Sequence, residues 1–319
     1  MTTTGDPARQ PGHPTPHGDE SFAAADVIIL TYNSAEYVRP CLRAVAATDW
    51  GPLDVVVVDN ASSDNSGLVA RLAAQEIGFG LTVLPLTHNL GCAGGNNVGW
   101  RHTTGDFVVF LNPDTEVTPG FVRELVTPMI ADPSIGVTGA RIYYPGTRTL
   151  QHAGAGVYPN GMTHHYGAGE EDTGQHEQMR DVDYVTGAGF AVRRTLLERI
   201  GGFDEDYFPA YFEEVDLCAR IRRLGFRVVY VPQAILYHHE SVSLTVNSPA
   251  FHRLYQRMRI RYLMKNLSLL QWITTFIPAE IRWLMSEPLA KGHRLEQFRA
   301  YAEGAWWLLR RVLRVPGRY

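Results

Sequence analysis

An acid standing alone just past a buried strand is placed to meet a ligand. Asp114, in Phe110-Leu111-Asn112-Pro113-Asp114-Thr115-Glu116-Val117, is such an acid. Phe107 to Leu111 is an unbroken apolar run, as expected of a strand covered on both faces, and Pro113 ends the ladder and helps fix the turn. In open α/β sheets ligands gather beyond the carboxyl ends of strands. Taken alone, Asn-Pro-Asp reads as an ordinary turn. Thr31, Asn33 and Asp59 also fall at strand carboxyl ends, and such a set on one rim is harder to dismiss than any one member. A second acidic group, Glu213-Glu214-Val215-Asp216, opens a helix, where the helix dipole accounts for part of the acid and Asp216 can pair with Arg220 one turn on. His164, His165 and His176 could bind a metal, but without regular spacing they read as solvated histidines.

The elements that must hold these residues alternate. Asp26 to Thr31 reads as a strand and is followed by a helix N-capped at Ser34 and running to about Ala47. Leu53 to Val58 is a second strand, Ser62-Ser63-Asp64 opens a helix, and Leu81 to Leu86 is a third strand. A Gly-rich turn over residues 88–96 and a helical stretch to about His102 lead into the strand before Asp114. This alternation predicts a parallel sheet with right-handed crossovers. Further on, Val137 to Tyr144 and Val182 to Val192 read as strands of a mixed sheet, separated by the polar stretch Tyr158 to Arg180, a lid or acceptor-side loop. The acidic helix carries Leu217, Ile221 and Leu224 on its apolar face and closes at Gly225. Strands Arg227 to Val231 and Ala234 to Tyr237 then reach His238-His239. Beyond residue 250 come helices in which Trp272, Trp283, Trp306 and Trp307 alternate with Arg.

The totals fit one main α/β domain with appendages: 319 residues, 45% hydrophobic and 19% charged, too few charges for a disordered chain. The net charge of -4 divides unevenly. From residue 251 onward 13 Lys and Arg face 4 Asp and Glu, giving +9 and leaving -13 for residues 1–250. A basic, Trp- and Leu-bearing tail on an acidic body suggests an anionic membrane surface as partner rather than nucleic acid. Residues 1–24, with Pro7, Pro11, Pro14 and Pro16, show no secretory signal and read as a disordered arm. Leu267 to Ile277 comes closest to a membrane span and is too short for one. Cys41, Cys92 and Cys218 have no metal-ligand spacing and read as reduced cytosolic thiols.

Six segments stand in order from Val27 to about Ser243: VIILTYN, VVVVDNASSDNS, HNLGCAGGNNVG, FLNPDTEV, VTGAGFAVRR and FDEDYFPAYFEEVDLCARIRRLGFRV. Together with His238 they resemble glycosyltransferase family 2 proteins, with the nearest look to the bacterial rhamnosyltransferase-like and galactofuranosyltransferase-like members. The resemblance implies an α/β fold of the GT-A type: a nucleotide-binding domain over residues 25–245 with a mixed, mostly parallel central sheet flanked by helices, and a basic amphipathic helical extension over 246–319.

What it implies for chemistry follows residue by residue. Asp114 stands where the family's Asp-x-Asp carries its last acid, a ligand for Mg²⁺ or Mn²⁺, and Asn112 replaces the first acid as a hydrogen-bond donor to the sugar or phosphate. His238 matches the family's later His and completes the metal or diphosphate contacts, with His239 as the register alternative. Thr31, Tyr32, Asn33 and Asp59 match the nucleoside-binding positions, and Asn89, Gly94 and Asn97 lie in the segment before the central strand where glycines permit close approach to the donor. Thr186 and Gly187 stand on the acceptor side, in a segment that also reads as a tight strand bend. Glu214 is the expected base for the acceptor hydroxyl, with Glu213 as the alternative.

The activity implied is inverting, metal-dependent transfer of a sugar, rhamnose as first choice, from a nucleoside-diphosphate sugar to a cell-envelope glycan or polyprenyl-linked acceptor. It would take place in the cytoplasm, at the inner face of the membrane. Two rivals are a sugar-phosphate nucleotidyltransferase, which would need a Gly-rich, Arg-bearing loop where Thr31-Tyr32-Asn33 stands, and a silent glycan-binding or scaffold protein of the same fold.

Overall fold

The computed structural model describes residues 23–240, 248–286 and 294–313. Nearly all of the arm expected at residues 1–24, and Ser241 to Ser243 of the segment after His238, lie outside the described residues.

The first half is β1 (Ala25–Thr31), α1 (Ala35–Ala46), β2 (Leu53–Asp59), α2 (Ser66–Ile77), β3 (Thr82–Pro85), α3 (Gly91–Arg101) and β4 (Phe107–Leu111). β1 pairs in parallel with β2 and β4, and β2 with β3. Because side chains alternate along a strand, each apolar run splits between two cores. Val27, Ile29, Val55, Val57 and Val109 join one core, whereas Ile28, Val56, Val58, Val108 and Phe110 join the other.

The second half comprises β5 (Thr115–Val117), α4 (Phe121–Ala131), β6 (Ile135–Tyr143), β7 (Leu150–His152), β8 (Ala155–Val157), β9 (Thr163–His165), β10 (Arg180–Asp181) and β11 (Gly189–Arg193). α5 (Arg194–Ile200), a 3₁₀ turn (Glu205–Tyr207), α6 (Glu213–Arg223) and β12 (Arg227–His238) follow. The sheet runs β10-β12-β6-β11-β4-β1-β2-β3, with β5 on β12 and β7 on β6. It becomes mixed where β11 inserts antiparallel between β4 and β6.

α7 (Pro249–Asn266), α8 (Leu269–Gln271), a π-helical turn (Trp272–Phe276), α9 (Ile277–Ser286) and α10 (Arg294–Val312) form the helical extension. Its internal tie is Arg259, 0% exposed, which donates to both Glu280 oxygens at 2.8 and 2.6 Å and to Asn160 O at 2.6 Å. Gln297 and Tyr301 of α10 donate to the same carboxylate, so α7, α9 and α10 share one buried ion pair. Two of the tail's tryptophans are turned onto cations of this bundle: Trp283 lies against Arg259 at 5.4 Å, and Trp307 against Arg261 at 5.1 Å.

Several local expectations change. The Gly-rich segment is helical from Gly91, and a side chain at Gly95 or Gly99 would overlap Leu30 or Ile28, so these two glycines let α3 lie close on β1. The strand expected from Val182 begins only at Gly189, which leaves Thr186 and Gly187 in a turn at the sheet's end. Arg227 to His238 is one strand, with a register shift between Val231 and Ile235 in place of a break. α2 opens at Ser66, and Asp64 Oδ2 accepts from Ala35 N at 2.9 Å, capping α1 in place of the Ser34 hydroxyl, which donates to Tyr32 O at 3.0 Å. The polar stretch Tyr158 to Arg180 contains β9 and is pinned by the buried pair Arg141 and Asp172 at 3.0 Å.

Candidate active site

Asp114 is fixed by the turn that ends β4. Asn112 N donates to Ala188 O at 3.1 Å, and Thr115 Oγ1 donates back to Asn112 O at 2.7 Å, closing the turn. β5 then pairs antiparallel with β12, Thr115 opposite His238, so the end of β12 is carried to the same place. His238 Nε2 lies 3.3 Å from Asp114 Oδ1. On the other side of the ring, Gln151 Nε2 donates to His238 O at 2.7 Å, which leaves Gln151 Oε1 as acceptor 2.9 Å from His238 Nδ1. A carbonyl oxygen can only accept, so Nδ1 carries a proton toward Gln151, and Nε2 is the ring atom left to face the carboxylate. Imidazole nitrogen beside carboxylate oxygen is a donor set that suits a divalent cation. His239 is turned elsewhere: its Nε2 lies 3.0 Å from Glu116 Oε1 and its ring 5.4 Å from Tyr37.

Among the described residues no group of three or more His, Cys, Asp and Glu is arranged for a metal. A cation on Asp114 and His238 would therefore take its other ligands from phosphate or water.

Both residues face a cleft of about 720 Å³. Glu213 and Glu214 face it too, so the acid of the β4 turn and the acids of α6 open into one space. Tyr32, Asn89 and Asn112 line its β1–β4 side, and Thr186 and Gly187 its β11 side. Its charged lining is one-sided: Asp114, Glu213, Glu214 and Glu240 are there, with His165 and His238, but neither Lys nor Arg among the described residues.

Two consecutive residues with left-handed backbone, Tyr211 at φ 77° and Phe212 at φ 70°, aim the start of α6. Such conformations cost on the order of 1–3 kcal/mol each in non-glycine residues and persist where packing over-determines them. Phe212 is buried against Tyr255 at 5.2 Å and Tyr262 at 5.6 Å, and Tyr211 packs edge-on to Phe251 at 5.5 Å. Burial pushes the Glu214 carboxyl up to about 7. It raises Glu213 well above the usual carboxylate range, helped by the charge of Glu214, and Glu213 Oε2 has no hydrogen-bond partner among the described residues. Asp216 plays a different part, accepting from Arg220 Nε at 2.6 Å, Tyr207 at 3.2 Å and Asn266 at 3.1 Å.

Other expected site residues do not line the cleft. Thr31 is fully buried, while Asn33 and Asp59 hold rim turns by accepting from Ser63 N at 2.8 Å and Ser62 N at 3.0 Å. Gly94 sits tightly over Leu90, as its helix requires. Asn97 is buried and fully engaged: it bonds Phe203 N and O at 2.9 Å each and accepts from Trp100 Nε1 at 3.0 Å, fastening α3 to the loop before α6. In turn, Gln151, Tyr184 and Tyr255 were missed, and nothing in their local sequence marks them, while His165, read from the sequence as a solvated histidine, lines the cleft.

The sequence profile of the family described as Glycosyl transferase family 2 matches residues 26–201. The chain is 30% identical over 251 residues to the N-acetylglucosaminyl-diphospho-decaprenol L-rhamnosyltransferase of Mycobacterium tuberculosis, covering 71% of this chain and 79% of that protein. It is 28% identical over 233 residues to the uncharacterized protein y4gI of Sinorhizobium fredii, covering 70% of this chain and 25% of that protein, so it spans a quarter of this relative's length. In fold it is similar to the mannosyltransferase PcManGT of Pyrobaculum calidifontis, solved in complex with GDP-Man and Mn²⁺, with TM-score 0.59, 20% identity, and coverage of 92% of this chain and 80% of that one. With a profile match over 176 of its 319 residues, the chain belongs to glycosyl transferase family 2.

Proposed function

We propose that the protein is an inverting, metal-dependent glycosyltransferase that moves a sugar from a nucleoside diphosphate to a hydroxyl of a glycan or lipid-linked acceptor. The observation that carries this reading is the cleft itself: the Asp114–His238 pair and the raised carboxyl of Glu214 face one space whose described lining holds no Lys or Arg. A diphosphate cannot enter so acidic a site without counter-charge. Asp114 and His238 would hold Mg²⁺ or Mn²⁺, which when bound offsets the charge developing on the leaving diphosphate.

This chain's own residues do the rest. Asn112 donates to the donor sugar or phosphate, and Tyr32 supports the nucleoside, with Thr31, Asn33 and Asp59 holding the rim behind it. Glu214 takes the proton of the acceptor hydroxyl while its oxygen bonds to the anomeric carbon and the bond from that carbon to the diphosphate breaks. A carboxyl held near 7 suits a general base at neutral pH. One displacement inverts the anomeric centre. Rhamnose is the favoured sugar, and similarity to the M. tuberculosis rhamnosyltransferase supports it.

On this reading the protein works at the cytoplasmic face of the cell membrane. No helix among the described residues is long and apolar enough to cross a membrane. What speaks for peripheral attachment is the +9 tail and an apolar stripe along α8, the π-helical turn and α9: Leu269, Ile273, Ile277, Ile281 and Met285 are between 44% and 78% exposed.

Nucleotide release from UDP- and dTDP-sugars with Mn²⁺ tests the catalytic reading. Release by the wild type that Asp114→Ala abolishes is expected, and equal release from both would overturn it.

A further inference from the structure

We propose that the wall of the cleft built by α7 is the acceptor subsite, taking a neutral sugar ring stacked on Phe251 with one ring hydroxyl turned to Glu214. The inference rests on the transferase reading above and names the substrate class of one side of that site.

Phe251, Leu254 and Tyr255 line the cleft from one face of α7, at the i, i+3 and i+4 spacing that puts side chains on the same side of a helix. Ser248 fixes where that face begins, its Oγ accepting from Phe251 N at 3.2 Å. The rings form a flat, braced surface: Phe251 stacks on Tyr255 at 6.0 Å and 20°, and Tyr211 stands edge-on to Phe251 at 5.5 Å. Tyr255 is held in place through its hydroxyl, which lies 2.8 Å from Thr163 Oγ1 and accepts from Thr163 N at 3.0 Å. This latch draws the β8–β9 hairpin onto the same wall and brings His165 into the cleft.

Three features select the ligand. An aromatic platform ringed by a few polar groups matches a pyranose, whose axial C–H bonds make one face apolar while its hydroxyls point outward. The described lining of the cleft holds carboxyls but neither Lys nor Arg, so this wall offers an anionic acceptor group no such side chain to pair with. Glu214 lines the same cleft as Phe251 and Tyr255, so a sugar ring on Phe251 shares one space with the expected base. α7 lies beyond the residues matched by the family profile.

Saturation-transfer NMR on the full chain with UDP and Mn²⁺ reads the subsite without turnover. The probes are methyl glycosides of rhamnose, glucose and N-acetylglucosamine, with farnesyl diphosphate as a lipid arm. At least one glycoside is expected to receive saturation on the protons of one ring face. Its affinity should fall about threefold to tenfold in Phe251→Leu, which keeps apolar bulk but removes the flat ring, and return in Phe251→Tyr. Thermal unfolding of each variant reports whether it is folded. No glycoside binding to the wild type, equal binding to folded Phe251→Leu, or farnesyl diphosphate occupying the wall in place of the glycosides would each overturn the proposal. A wild type that binds glycosides yet releases no nucleotide refutes the catalytic reading alone, and one that releases nucleotide yet binds no glycoside refutes only the subsite.

Discussion

His238 turns Nε2 toward Asp114 Oδ1, 3.3 Å away, because Gln151 holds the opposite side of its ring through Nδ1 and its backbone carbonyl. A partner that fixes the tautomer of a ligating imidazole typically contributes about tenfold to 100-fold to metal affinity. Gln151→Leu should therefore weaken Mn²⁺ binding by about that factor in a paramagnetic titration with UDP present, and saturating Mn²⁺ should restore nucleotide release. Unchanged affinity would show that His238 needs no such support or binds no metal.

The pH dependence separates the two glutamates. Glu214, raised by burial to about 7, must lose its proton to act as base, so kcat/KM should rise with pH and level off above about 7. Glu213 is also held well above the usual carboxylate range, by burial and by the charge of Glu214. Glu213→Gln imitates the protonated acid and should leave the limb near its wild-type position, whereas Glu214→Gln should lower transfer roughly 100-fold to 10,000-fold and erase the limb. The opposite pattern would make Glu213 the base.

The same burial has a consequence for stability. A carboxyl whose folded pKa is raised binds its proton more tightly in the native state, so stability is lost as pH rises from the ordinary 4.5 through about 7, and stays lost above. For Glu214 the loss should be on the order of 1–2 kcal/mol once the cleft's access to water is allowed for. Glu214→Gln should thus melt higher than wild type at pH 8, with the difference vanishing near pH 4. A variant that melts lower at pH 8 would contradict the buried-carboxyl account.

What the sequence displayed, and what it hid, follows from how local each signal is. Val27 to Leu30 and Val55 to Val58 announce themselves because strands buried on both faces are unbroken apolar runs. Asp114 is legible because Pro113 ends its strand beside it. The helix through Gly91, Gly94, Gly95 and Gly99 is not, since glycines ordinarily punctuate turns and only packing on Leu30 and Ile28 explains them. Gln151 meets His238 across 87 residues of sequence, and Tyr255 meets Thr163 across 92, so their parts in the cleft exist only after the chain has folded. Glu213 and Glu214 stand out by position, but their raised pKa values depend on burial in a cleft that α7 helps to enclose.

Attachment to a membrane, if it occurs through α8 and α9, must use the exposed stripe rather than the tryptophans turned onto Arg259 and Arg261. Leu269, Ile273, Ile277, Ile281 and Met285 recur every four residues, a repeat that would drift around a 3.6-residue helix. The π-helical turn over Trp272–Phe276 takes more than four residues per turn and counters that drift, which keeps the stripe on one side. Deleting residues 289–319 would strip Gln297 and Tyr301 from the buried Glu280, so surface substitutions are the cleaner test. Ile277→Asp and Ile281→Asp should each lower cosedimentation with phosphatidylglycerol vesicles about tenfold, because each removes apolar area from the lipid contact and adds an anion facing an anionic surface. If both variants sediment as the wild type does, the stripe is not a lipid-binding face.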